Sequence, residues 1–432
     1  MTMLKKYIVF SFLLCVSSAA IAQQNPLLEK YRSMAVEYSH DLKAAGKNIA
    51  ASIELEKAAQ KDLYPKLAGE THFQYTGNPL QLTLDLPSMA SPATFEGKDM
   101  KYGASISLVQ PIYTGGRLLE TIQMTRYQRN VSGFQEEYIR SGIYLQTDLQ
   151  YWNTVARKEI VRISEDYRNS IASLTQTIRE RVDAGLTAQQ DLLMMEVKLN
   201  EAEYQLTQAQ TNFENGRMAL NSLIGVELHT PTEIEDSVST VMPEQETSQY
   251  NEGSSRPELK IATEQIKMSE SEKKLALSKY KPQFYVGADG SYSSPGYNFH
   301  TDLDPNYALY AKVTVPILEW GKRKNEKRAS DFKIDMATDN LNKVTDGINL
   351  EIQTVRNSLG QALSQVSLTK NSLEKARENE SMALERYDEG KSSIIEVIDA
   401  QTYRQMAQIN HVQAKVSAQN HYSELLKALN KY

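Results

Sequence analysis

The spacing of apolar side chains changes twice along each half of the chain. Residues 27–63 and 257–280 are rich in Ala, Glu, Lys and Leu, and each run ends just before a proline, Pro65 or Pro282. That pattern predicts a helix stopped by a residue without a backbone N–H. Alternation follows. Leu67, Thr71, Phe73 and Tyr75 share one face and Glu70, His72 and Gln74 the other, while Tyr102, Ala104, Ile106 and Leu108 oppose Lys101, Ser105 and Ser107. Further on, Phe284, Val286, Ala288 and Tyr292 stand against Gln283, Asp289 and Ser291, and Leu309, Ala311, Val313 and Val315 against Tyr310, Lys312 and Thr314. Period two predicts strands, at about 66–76, 101–110, 283–293 and 307–316.

After Pro111 and Pro316 the period becomes helical. No proline falls within 112–230 or 317–432, so long helix pairs are permitted at about 117–223 and 321–429. Gly116 and Gly185 lie 69 residues apart, as do Gly321 and Gly390, and a continuous helix of that length spans about 100 Å. Ile160, Ile163, Tyr167, Ile171, Leu174, Ile178 and Val182 follow three-and-four spacing, close to an 11-residue repeat. The returning segment places Met195, Leu199, Ala202, Leu206, Ala209 and Phe213 on a heptad seam. Antiparallel packing about a tight glycine turn is the expectation at both Gly185 and Gly390. Pro65, Pro111, Gly116, Pro282, Pro316 and Gly321 mark the strand–helix junctions.

The two halves are copies. Tyr102, Pro111, Gly116, Gly142, Arg181, Asp183, Gly185, Ala202 and Leu220 recur 205 residues later as Tyr307, Pro316, Gly321, Gly347, Arg386, Asp388, Gly390, Ala407 and Leu425. Upstream, Leu42-Lys43 and Pro65 match Leu259-Lys260 and Pro282 at an offset of 217. The 12 extra residues of the first copy lie between Pro65 and Tyr102, in a stretch rich in Pro, Ser, Thr and Gly that reads as a loop. The expected organisation is a first repeat at 23–225, an acidic linker at 226–256 and a second repeat at 257–432.

Composition narrows the function classes. Of 432 residues, 48 are Lys or Arg and 54 Asp or Glu, without a basic block, which argues against a nucleic-acid partner. Mean hydropathy is -0.50, and no stretch beyond the N-terminus is apolar enough for a spanning helix. Lys5 and Lys6, the apolar run 7–16 and the small-x-small site Ala20-Ile21-Ala22 predict a signal peptide over residues 1–22, with the exported chain starting at Gln23. Leu14 precedes Cys15 where a lipoprotein needs a small residue, so no lipidation is expected. Cleavage removes the single cysteine, and disulfides and cysteine-held metals go with it. The six histidines (40, 72, 229, 300, 411 and 421) show no HExxH spacing. No phosphate-binding loop or nucleophile elbow is present, and neither an enzyme nor a cofactor is expected.

Four half-apolar strands in an exported chain cannot close a barrel alone. They either pack on helices in a soluble protein or are completed by other copies, and helices this long outsize a two-stranded ribbon. The order of elements, their duplication, Pro111-Ile112-Tyr113-Thr114-Gly115-Gly116 with Pro316-Ile317-Leu318-Glu319-Trp320-Gly321, and the turns Arg181-Val182-Asp183-Ala184-Gly185-Leu186 and Arg386-Tyr387-Asp388-Glu389-Gly390 resemble the TolC-type outer-membrane channels of Gram-negative efflux and secretion systems. The likeness covers about residues 30–429. It implies a mainly α homotrimer: a twelve-stranded β-barrel in outer-membrane lipid, continuing into a twelve-helix periplasmic α-barrel. It also implies a periplasmic adaptor and an inner-membrane pump of RND, ABC or MFS type. The loops near 77–100 and 293–306 would face outside. The Asn-Pro common at the first helix start of relatives is Ser39-His40 here, whereas the second copy keeps Pro257.

Within that resemblance the chemistry lies at the tunnel tip. Glu396 and Asp399, three apart after the Gly390 turn, share a helical face, and three chains would gather six carboxylates into a narrow cation-attracting ring. Asp191 is the first-copy equivalent of Glu396, and Tyr387 precedes Gly390 by three; both match positions that hold the gate shut in relatives. Some relatives carry an arginine two residues after the glycine, where this chain has Ser392 beside Lys391. The turns, with Gly185, Leu186, Gly390 and Lys391, are the implied adaptor contacts. The reading is an exit duct without a dedicated substrate pocket; a soluble periplasmic coiled-coil scaffold or adhesion protein is the alternative.

Overall fold

The computed structural model describes residues 25–85, 87, 92–241, 255–296 and 302–432. The expected leader, with Cys15, lies outside the described residues, as do parts of the expected 226–256 linker and of the two strand loops. In chain order the elements are α1 Pro26–Tyr38, α2 His40–Lys61, β1 Lys66–Tyr75, β2 Gln81–Leu84, β3 Ala93–Glu96, β4 Met100–Thr114, α3 Arg117–Asp183, α4 Gln189–Ile224, α5 Pro257–Ser278, β5 Gln283–Ser294, β6 Asp304–Thr314, α6 Lys322–Asp388 and α7 Ile394–Ala428. Two compact units gather these elements. The first holds the described residues of Met1–Ala44, Glu136–Arg256 and Thr345–Tyr432, and the second those of Ala45–Gln135 and Pro257–Val344. Each unit draws on both copies of the repeat.

In the first unit, the three-and-four seam becomes the core. Tyr167, Ile171, Leu174 and Ile178 of α3 pack with Leu192, Met195 and Ala202 of α4 and with Tyr387, Ile394, Val397 and Ile398 of the second copy. A second cluster joins Leu28, Tyr31 and Ala35 of α1 to Tyr151, Trp152, Val155 and Leu220. The entry to α1 is set by Asn25, whose Oδ1 accepts from the amides of Leu27 and Leu28 at 3.0 and 3.2 Å, with Pro26 at the first helical position.

Among the described residues, the charges buried in this unit are paired. Asp148, fully buried, receives Nε and Nη2 of Arg32 at 2.7 and 2.6 Å and the hydroxyl of Tyr432 at 2.9 Å. Burial draws the Arg32 pKa down, but the hydrogen bond and charge of Asp148 more than reverse it, and Arg32 stays cationic. Burial and the same carboxylate push the Tyr432 hydroxyl up, so it remains a donor. Lys415 on α7 donates to both oxygens of Glu159 at 3.0 and 3.2 Å, and the amide of Val238 donates to Glu159 at 2.9 Å. That pair fastens the segment after α4 to α3 and α7.

In the second unit, four antiparallel strands form one open sheet in the order β1-β4-β5-β6. Its register stacks Leu67, Leu108, Ala288 and Leu309 across the sheet, with Gly69, Ile106, Gly290 and Tyr307 in the next row. One face is therefore continuously apolar, and it is uncovered: Leu67 is 71% exposed and Leu309 79%. The ring of Tyr310 lies over Gly287, where a Cβ would come within 2.4 Å of it. Among the helices, Glu56 of α2 accepts from Arg126 and Arg129 of α3 at 3.2 and 2.6 Å, and Asn130 donates to Glu264 of α5 at 3.0 Å. Among the described residues no helix is long and apolar enough to cross a membrane.

Four details differ from the sequence expectation. The helix expected over 27–63 is broken at Ser39, which caps both sides: its amide donates to Ala35 O at 2.9 Å and its Oγ accepts from the Leu42 amide at 3.2 Å. The stretch 77–100 is not all loop, since β2 and β3 pair within it. Strand β4 does not stop before Pro111 but runs through it to Thr114. The proline is tolerated because β1 pairs only as far as Val109 and the ladder to β5 shifts register between Pro111 and Tyr113, so its missing N–H falls at a bulge. Strand β6 spans Asp304–Thr314, leaving Pro316 in the link to α6.

Replacing Asp148 with Ala leaves the largely buried Arg32 charge with only the exposed Glu29 carboxylate at 3.0 Å and is expected to cost about 3–5 kcal/mol. A thermal melt followed by helical circular dichroism checks this. A melting shift no larger than that of Glu165→Ala, in an open groove, would show that the triad is dispensable.

Candidate functional site

Both helix-pair turns are built the same way. At Gly185 (φ 73) the amide of Leu186 donates to Arg181 O at 2.8 Å and that of Gly185 to Val182 O at 2.9 Å. At Gly390 (φ 71) Lys391 donates to Arg386 O at 2.7 Å and Gly390 to Tyr387 O at 2.9 Å. This is the Schellman arrangement, and its left-handed residue is why both positions are glycine. A Cβ would meet nothing within 4 Å at either, so backbone conformation alone sets the requirement. Leu186 is 77% exposed, whereas Lys391 pairs with Glu389 at 2.8 Å.

The two returning helices start differently. Ser393 caps α7 in a reciprocal box: its Oγ accepts from the Glu396 amide, and its own amide donates to Glu396 Oε1, both at 3.4 Å. Helix α4 begins at Ala188 with no side-chain cap, and Asp191, at the position equivalent to Glu396, accepts from Thr187 Oγ1 at 2.9 Å. Glu396 and Asp399 are both exposed one turn apart. Lys198 of α4 is held above the usual lysine range chiefly by its hydrogen bond to Glu201, and the charge of Asp399 adds to the effect.

Tyr387 is almost wholly buried in the apolar cluster under the turns. Among the described residues it shares no hydrogen bond with Asp191. Its ring instead lies under Arg181, whose guanidinium carbon is 4.8 Å from the centroid and whose Nη2 is 4.0 Å from Asp388 Oδ1. The end of α3 is thereby joined to the end of α6. Sequence reading singled out Tyr387 and passed over Arg181, although Arg181 and Arg386 head equivalent turn motifs. The difference between Val182 and Tyr387 at matched positions was the available signal, because only the second copy supplies a ring. Ser392 donates to Ala383 O at 3.4 Å, closing its own turn.

At the other end of the long helices the junction residues divide. Pro65 and Pro282 immediately precede β1 and β5, and Gly116 and Gly321, at φ 92 and 81, immediately precede α3 and α6. Pro111 sits within β4 and Pro316 in a link, as described above. Two shallow grooves run along the helix pairs, one lined by Glu165, Arg168 and Glu203 and the other by Gln365, Leu368 and Asn410. Among the described residues no group of three or more His, Cys, Asp or Glu is placed to hold a metal ion. His411 bonds Thr369 Oγ1 at 3.1 Å and His421 bonds Glu424 at 2.8 Å.

The sequence matches the outer membrane efflux protein family over residues 31–226 and 251–431. The solvent efflux pump outer membrane protein SrpC of Pseudomonas putida is 21% identical over 415 residues, covering 94% of this chain and 85% of SrpC. Among solved structures, the Campylobacter jejuni CmeC outer membrane channel superposes with a TM-score of 0.75 at 18% identity, covering 94% of this chain and 85% of CmeC. The Vibrio cholerae outer membrane protein VceC gives 0.75 at 15% identity, covering 93% and 95%. At such identities the structural likeness establishes the fold, while the family match spans most of both repeats. The chain belongs to the outer membrane efflux protein family.

Proposed function

We propose that the protein is the outer-membrane exit duct of a tripartite efflux or type I secretion system, working as a homotrimer. The observation that carries this reading is the open sheet with a bare apolar face. Strands β1 and β6 have no outer neighbours among the described residues, and hydrocarbon does not tolerate unpaired strand edges. Pairing β6 of one copy with β1 of the next satisfies both edges, and three copies of a four-stranded sheet make a closed barrel of twelve. The apolar rows then face lipid. Tyr102, Tyr292 and Tyr307 lie on that face near strand ends, where aromatic girdles sit at membrane interfaces. Four long helices per copy supply a twelve-helix periplasmic barrel on the same symmetry.

The helix turns form the periplasmic end in this reading. Exposed Glu396 and Asp399, repeated threefold, line a narrow acidic ring that admits cations and binds multivalent ones. Asp191 and Tyr387 belong to the same tip, with Arg181 stacked on Tyr387 as the link between the two helix pairs of one protomer. Gly185, Leu186, Gly390 and Lys391 present backbone and one bare leucine to a periplasmic adaptor. The pump in the inner membrane provides the energy, and the duct conducts passively. Membership of the efflux family disfavours the soluble scaffold.

Outer-membrane fractions are expected to contain trimers that resist unheated detergent gels and conduct ions in planar bilayers. A mature chain that stays monomeric and soluble without detergent would overturn the duct. Glu396→Ala with Asp399→Ala is expected to abolish block of that conductance by multivalent cations added on the periplasmic side; persistent block would move the ring elsewhere. An exposed cation–π contact contributes about 0.5–1 kcal/mol, so Arg181→Ala should raise the resting conductance while Arg181→Lys retains part of the restraint. Equal conductance in wild type and Arg181→Ala would remove Arg181 from the gate.

A further inference from the structure

Strands β2 and β3 form a separate two-stranded ribbon carried on the ends of β1 and β4, and one of its sides is apolar and the other polar. Two backbone bonds tie the link between the two sheets: the Thr76 amide donates to Asp99 O at 2.7 Å and the Gly97 amide to Leu80 O at 2.8 Å. Between these bonds the register steps by two residues, from Tyr75 opposite Met100 to Gln81 opposite Glu96. The surplus lies on the first strand. The second strand passes from β3 to β4 through only three residues, 97–99. Residues 97–99 are not strand; period-two alternation carried through them would put Phe95 on the side of Lys101, Gly103, Ser105 and Ser107, opposite Tyr102, Ile106 and Leu108. Leu82 is the partner of Phe95, and Leu84 of Ala93. The other side of the ribbon is polar, with Gln81 donating to Glu96 at 2.8 Å and Thr83 beside Thr94 at 3.3 Å.

The inversion has a physical reading in a membrane barrel. Along the sheet the outward side meets lipid and is apolar; past the membrane the outward side meets water and is polar, as Gln81, Thr83, Thr94 and Glu96 are. The inward side of the extension is then the apolar one, and Leu82 and Phe95 are 55% and 60% exposed within a single chain. A two-stranded ribbon is marginal in water by itself, and lipid lies on its wrong side. Identical ribbons from sister copies stand across the same opening and carry the same apolar side.

We propose that the β2–β3 ribbons of the three copies meet through Leu82, Leu84 and Phe95, forming an apolar constriction at the outer mouth distinct from the acidic ring at the periplasmic tip. This rests on the trimeric barrel proposed above. The mature chain offers a clean test, because its lone cysteine belongs to the expected leader. Phe95→Cys, oxidised in intact cells with copper phenanthroline, is expected to give disulfide-linked dimers on heated non-reducing gels. Thr94→Cys, on the opposite side, is expected to give none. Leu82→Ser with Phe95→Ser should raise the single-channel conductance. Unlinked Phe95→Cys in preparations whose unheated trimers are intact, or equal linking of Thr94→Cys, would overturn the constriction and leave the duct standing. Absence of trimers in the unmodified protein would overturn both.

Discussion

Backbone hydrogen bonding at the two sheet edges governs the rest of this molecule. A strand edge carries a row of N–H and C=O groups that water can satisfy and hydrocarbon cannot. Here the edge strands β1 and β6 flank a sheet whose apolar rows run uninterrupted from Leu67 to Leu309. In water the apolar face is the cost; in lipid the edges are. In the proposed trimer, copies placed side by side would remove both at once, because each edge would find the other edge of a neighbour while the apolar rows turned to the bilayer. The bulge at Pro111 lies in β4, inside the sheet rather than on an edge, which leaves both edge strands in regular pairing register with their inner neighbours.

Duplication lets one chain carry two strand pairs and two long helix pairs, and also explains why the two halves need not be alike. The turns at Gly185 and Gly390 keep the same backbone bonds, since those follow from a left-handed glycine after a helix. Side chains around them have diverged. Helix α7 has a reciprocal cap at Ser393 and Glu396, whereas α4 starts at Ala188 without one, and a side-chain cap is worth about 1 kcal/mol. Val182 became part of the core edge in one copy while Tyr387, its equivalent, received the Arg181 guanidinium in the other.

Legibility in the sequence tracked how local the cause was. The buried seam of α3 and α4 could be read from spacing because three-and-four periodicity reports directly which side of a helix is dry; Ile171, Ile178, Met195 and Ala202 are buried to within a percent of complete. The alternating strands were equally direct. Ser39 was opaque because a serine that ends one helix and starts the next looks like any polar residue in a helical run. The β2–β3 ribbon was hidden by Pro, Ser, Thr and Gly, which mark turns but do not say that Leu82 and Phe95 pair across them. Arg181 and the buried Asp148 were invisible for another reason: their partners lie in the other copy or at distant positions, and only packing brings them together.

Glu396 shows how a local constraint and a collective one share a single side chain. As the third residue of α7 its carboxylate completes the reciprocal cap with Ser393, which fixes where the side chain lies at the helix start. In the proposed trimer, repetition about a threefold axis would bring like charges together. The first effect belongs to each chain and is present before assembly; the second arises only once three tips converge. A carboxylate whose place is fixed by its own helix would enter such a ring already positioned, so the spacing of the ring would be inherited from the cap of each chain. Asp191, in the same helical position of the first copy, has no cap to complete and is held instead by the hydroxyl of Thr187 at 2.9 Å.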